Sequence, residues 1–118
     1  MKKEAQDKQR YSHGLGSAIE VIGGKWKASI LWEIKVAKVM RFTDLRRCLP
    51  EVSGKVLAQQ LRELEEDGII CRETFAESPP RVEYSATEMG AALDDALWPL
   101  ADWGAGLSYP LKDSTGHE

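Results

Sequence analysis

The chain has 118 residues, 42% of them apolar and four of them tryptophan, which fits one domain folding around its own core. It holds no run of about 18 apolar residues, so nothing spans a membrane, and the opening MKKEAQDKQR lacks the apolar centre of a signal peptide, which makes the cytosol the expected location. The net charge of −3 hides an asymmetry: Lys25 to Arg62 carry nine bases against three acids, whereas Glu83 to Glu118 carry seven acids against Lys112 alone. The basic stretch is an electrostatic footprint for a polyanion, with the acidic part facing away.

Residues 1–12 show no apolar periodicity and read as a flexible arm. Leu15, Ala18, Ile19 and Ile22 then lie at helical spacing, and Gly23 and Gly24 stop that helix. A second helix runs from Lys25 to Lys38, with Trp26, Ile30 and Ile34 along its apolar side and its lysines in water. Val39 to Arg41 predict a bridge. Thr43 is the expected N-cap of a short helix over Asp44 to Leu49, which Pro50 closes.

Ser53 caps the next helix, in which Leu57, Leu61 and Leu64, helped by Val56, form a buried edge until Asp67 and Gly68 end it. Ile69 to Phe75 and Arg81 to Ser85 alternate as two strands around the turn Glu77 to Pro80, because prolines cannot donate to a ladder. Thr87 and Glu88 open the last helix, which passes Met89, Leu93, Leu97 and Leu100 toward Trp103, with a kink at Pro99 and an end at Gly104 and Gly106. Residues 13–107 thus form one domain, and 108–118 a flexible tail. The fold class is mainly α (α+β): a winged helix-turn-helix with a two-stranded wing, flanked by terminal helices.

With its leucine edge inward, the helix from Ser53 presents Lys55, Ala58, Gln59 and Arg62 outward. A helix of this width fits a major groove, where Gln pairs with adenine edges and Lys with guanine. Lys25, Lys27, Arg41, Arg46, Arg47 and Ser53 are expected against phosphates, and Arg81 at the wing tip against an adjacent groove or phosphate. Any solvated amphipathic helix shares the outer face alone; the capped short helix, the turn and the hairpin make it a reader of double-stranded DNA. A winged helix used only for protein contacts is the rival. No Ser/His/Asp group, phosphate loop or metal-ligand cluster occurs, His13 and His117 stand apart, and neither an enzyme nor a cofactor or metal is expected.

The segments IGGKWKASIL (22–31), RFTDLRRCLPEVSGKVLAQQLRELEEDGII (41–70) and PPRVEYSATEMGAAL (79–93) resemble the HxlR family of winged-helix transcription regulators, related in fold to MarR-type repressors. The resemblance covers roughly residues 15–104. It implies a homodimeric DNA-binding regulator, with Leu15, Ile19, Leu93, Leu97, Trp98 and Trp103 of the terminal helices at the dimer contact and a pseudo-palindrome as the operator. Members commonly carry a sensing cysteine before the first helix; His13 stands in that place here, which excludes thiol sensing through it. Cys48 and Cys71 remain as redox candidates, and Arg46 and Arg47 would lower the pKa of an exposed Cys48, whereas an apolar neighbourhood would raise it. The tryptophans fit core and dimer packing, or the walls of a pocket for an aromatic or planar small-molecule effector.

Overall fold

The computed structural model describes residues 2–108, and within them the elements run α1 (Lys2–Ile22), α2 (Lys27–Ala37), α3 (Phe42–Cys48), α4 (Gly54–Glu66), β1 (Ile70–Phe75), β2 (Arg81–Ala86) and α5 (Glu88–Ser108). The mainly helical winged architecture is the expected one. The tail expected over 108–118 lies, beyond Ser108, outside the described residues.

The core sits where three short helices and the wing meet. Leu57, Leu61 and Leu64 of α4 are buried together with Ile30, Leu31 and Ile34 of α2, Leu45 of α3, and Met40, Leu49, Val52, Ile69 and Ile70 from the connections and β1. Each fully buried aliphatic side chain contributes about 1.5–3 kcal/mol relative to exposure. That driving force makes the intervals of three and four along α4 legible in the sequence.

Local chemistry sets the element ends. The Val56 amide donates to Ser53 Oγ at 3.1 Å, so α4 starts where the sequence predicts. At its other end the Ile69 amide reaches the Leu64 carbonyl at 2.9 Å and the Gly68 amide that of Glu65 at 3.0 Å, a double closure of orphan carbonyls. α3 starts two residues earlier than expected, with Arg41 in place of Thr43 at the N-cap: the Asp44 carboxylate accepts the Arg41 backbone amide at 3.0 Å and supplies the cap from inside the helix.

The wing is an antiparallel pair with Ile70 opposite Ala86 and Phe75 opposite Arg81. The predicted bridge forms between Met40 and Tyr84, whose amides and carbonyls exchange bonds of 3.0 and 2.8 Å, so the α2–α3 connection is tied to β2. Thr87 joins wing to last helix: its hydroxyl lies 2.7 Å from the Gly68 carbonyl and accepts the Gly90 amide at 3.0 Å. Gly90 itself passes so close to β1 that a Cβ there would run into the Ile69 carbonyl.

The terminal helices extend beyond their apolar patterns. α1 begins at Lys2 rather than near Leu15, so the segment expected as a flexible arm is helical, with every side chain from Lys2 to Ser17 exposed. Lys, Glu, Ala, Gln and Arg are good helix formers and need no core for it. α5 contains Pro99 and continues through Gly104 and Gly106 to Ser108. The radius of gyration is 17.5 Å, against about 13 Å for a compact chain of this length. The excess reflects helices that project from the body.

Candidate nucleic-acid interface

Burial of Leu57, Leu61 and Leu64 turns the opposite side of α4 outward, and there Lys55, Gln59 and Arg62 are exposed and Ala58 half-buried. Val56, expected to support the buried edge, is 38% exposed and stands next to Lys55. Its methyls add an apolar contact of the kind that meets thymine. Arg72 and Tyr84, opposite one another across the wing, line a concavity with Ala58, Arg62 and Glu65. Neither is singled out by the sequence, where strand alternation alone does not reveal that Arg72 lies beside Arg62.

The N-terminal end of α4 is built for an anion. Helix amides carry partial positive charge there. Arg46 of α3 lies across Gly54, its Nη1 2.6 Å from where a Cβ would stand, so the absent side chain lets the guanidinium approach the first turn beside Ser53. Arg41 and Arg47 are exposed, the latter held loosely by Asp44 at 3.4 Å. Lys25 is exposed with its ammonium 5.0 Å from the Trp26 ring centroid.

Two expected phosphate contacts are otherwise employed. Lys27 is buried, its side chain 8% exposed, with Nζ 2.6 Å from Glu63 Oε1; a buried ammonium survives only when paired, and α4 provides the partner. The other oxygen of Glu63 accepts Gln59 Nε2–H at 3.2 Å. These contacts, the Lys27 bond first, hold the Glu63 carboxyl below its ordinary value. A chain of polar contacts thus runs from inside the protein to Gln59 on the outer face of α4. Arg81 does not project as a free cation: its guanidinium lies 4.2 Å above the Phe75 ring, bonds Glu83 through Nε at 2.9 Å and pairs with Glu77.

The terminal helices leave apolar side chains uncovered. Leu15 and Ile19 of α1 and Trp98 and Trp103 of α5 are exposed, joined by Tyr11, Leu100 and Leu107. Leu93 packs instead against the protomer's own core, and Leu97 lines a groove against α2. Those two leucines therefore hold α5 to its own body.

The two cysteines stand in different surroundings. Cys48 is at the surface, yet its thiol pKa is raised, by desolvation first and then by the Glu33 carboxylate, with Arg47 pulling the other way. Of the two outcomes that the sequence leaves open, the raised value is the one found, because desolvation outweighs the pull of Arg47. Cys71 is exposed with Sγ 3.1 Å from Ser85 Oγ. His13 is on the exposed side of α1. Among the described residues no group of His, Cys, Asp or Glu is arranged to hold a metal ion, and no helix is long and apolar enough to cross a membrane.

The model of the HxlR-like helix-turn-helix family matches residues 21–110. The HTH-type transcriptional regulator YtcD of Bacillus subtilis (strain 168) is 43% identical over 99 residues, which cover 84% of this chain and 78% of that protein. Among solved structures, a transcriptional regulator of the MarR family from Enterococcus faecalis V583 is similar with a TM-score of 0.74 and 41% identity, over 82% of this chain and 87% of its own. The redox regulator HypR in its reduced form gives a TM-score of 0.75 and 37% identity, over 85% and 98%.

Proposed function

Since the chain belongs to the HxlR-like helix-turn-helix family of transcriptional regulators, we propose that it acts as a homodimeric repressor reading a pseudo-palindromic operator. In this reading α4 enters the major groove of each half-site with Lys55, Val56, Ala58, Gln59 and Arg62 toward base edges. Lys25, Arg41, Arg46, Arg47 and Ser53 contact phosphates and set the register. The exposed apolar residues of α1 and α5 meet those of a second copy, which fixes the spacing of the half-sites. A dimer seated over a promoter excludes polymerase, and repression follows.

The observation that carries this reading is the outer face of α4, where exposed Lys55, Gln59 and Arg62 stand above buried leucines and beside the Arg46 guanidinium at the helix start. Selection of bound duplexes from a random pool tests it. The expected product is one inverted repeat bound with an affinity that falls steeply with salt, by a protein that sediments as a dimer. Enrichment of no sequence, or binding indifferent to salt, would support the protein-contact rival instead.

A further inference from the structure

A groove of about 300 Å³ runs between α2 and α5, away from the reading face. Trp32 and Trp98 form two of its walls and Leu49 and Leu97 contribute aliphatic surface, with Glu33 and Asp94 as acidic lining. That volume and lining suit a ligand of one or two rings. Both indoles are partly open to solvent, 39% exposed for Trp32 and 47% for Trp98, and Trp98 lines the groove, so the second copy is set against the other exposed residues of α5, Leu100, Trp103 and Leu107.

The charge around the groove is one-sided. Glu33 forms no ion pair among the described residues. Asp94, almost fully buried, shares the single ammonium of Lys35 with Asp95, at 3.3 and 2.9 Å. Arg47 on the adjoining α3 is engaged by Asp44. Three carboxylates, Glu33 of α2 and Asp94 and Asp95 of α5, therefore stand with the single ammonium of Lys35. An anionic ligand would meet repulsion here, and a neutral ring would gain packing alone. A cation gains the indole faces and the unpaired carboxylate together.

We propose that this groove binds a small aromatic organic cation, its charged nitrogen set against the indoles of Trp32 and Trp98 and balanced by Glu33. The bound molecule would touch α5 on one side and, on the other, the helix whose Lys27 is paired with Glu63 of α4. The site is thus placed between the outer helix and the reading helix, and its occupancy is measurable without DNA.

The test is calorimetric titration of the full chain with benzyltrimethylammonium, benzyl alcohol and benzenesulfonate, three single-ring probes that are cationic, neutral and anionic. Saturable binding of the cation is expected, about tenfold tighter than the alcohol and tighter still than the sulfonate. Glu33→Gln should lose most of the cation's advantage while leaving the alcohol's affinity and the melting temperature unchanged. Trp32→Leu should weaken all the probes that bind. Equal binding of cation and sulfonate, or an unchanged cation affinity in Glu33→Gln, would overturn the proposal. So would failure of the cation to bind.

Discussion

Between Ile30 and Ile70 lie all the buried apolar side chains of the core, whereas α1 buries none and the outer turns of α5 leave Leu100, Trp103 and Leu107 in solvent. The first region satisfies itself: its leucines pack together, α3 and α4 are capped at their starts, and its buried ammonium has a carboxylate. The terminal helices are as apolar in places but have nothing of their own to cover them. In the proposed reading a second copy covers them. The proposal thus assigns reading and assembly to different parts of the chain, and substitutions in each part test it separately.

The largest effect is expected where the two regions are uncoupled. Ile19→Glu combined with Trp103→Glu places charge on both exposed apolar helices and should convert a dimer to monomers by sedimentation. Loss of simultaneous half-site engagement then lowers operator affinity by about 100-fold or more. Cooperative thermal unfolding should persist, because neither residue belongs to the core. A monomer that had lost its fold would show that the reading region depends on its partner, and an intact dimer would place the contact elsewhere.

Next comes the ion pair that fastens α2 to α4 inside the reading region. Lys27→Met keeps the volume and removes the charge, and should lower the Tm by about 4 °C at neutral pH. The pH dependence has a definite sign. The folded Glu63 carboxyl lies below its ordinary value near 4.5, so the pair's contribution is present above that value and is lost as pH falls through the lowered folded one. Wild-type and Glu63→Gln proteins should therefore differ in Tm at neutral pH and converge as the pH falls well below the ordinary carboxyl value. Parallel curves would assign the Glu63 shift no part in stability.

Much of the reading region is legible in the amino-acid order alone, because the signals are local. Leu57, Leu61 and Leu64 fall at intervals that only a helix puts on one side, Ser53 stands where a cap is needed, and two prolines between alternating runs enforce a turn. What escapes is set by distant partners. Lys27 looks like one more wet lysine until Glu63 of α4 folds against it. Val56 follows a cap and precedes Leu57, so its sequence context cannot say which side it joins. Arg81 is a cation at a tip until the hairpin gathers Glu77, Glu83 and Phe75 around it, and the start of α1 escapes because helix propensity without burial leaves no apolar period.

Within the reading region, Gln59 separates specificity from affinity. Gln59→Ala should relax discrimination at one base pair per half-site by about tenfold, while affinity for unrelated duplexes stays near the parent's. Competition against single-position operator variants measures it. Uniform weakening across all variants would move Gln59 from base reading to backbone positioning.

The smallest effects compare the helix start with the wing. Arg46→Ala should weaken operator and random duplexes alike by several-fold and reduce the slope of log K against log salt by about one, since one phosphate contact and its released counterion are lost. Arg81→Ala removes an equal formal charge, but that charge already faces Glu77 and Glu83 and its guanidinium is stacked on Phe75. Phosphate must displace carboxylates that are bonded before DNA arrives, so little counterion release is left to lose. The slope should change by much less than one and affinity by no more than about twofold. Equal slope changes in the two variants would mean that the wing opens its carboxylate clasp on the duplex, and the wing would then join α4 as part of the electrostatic surface.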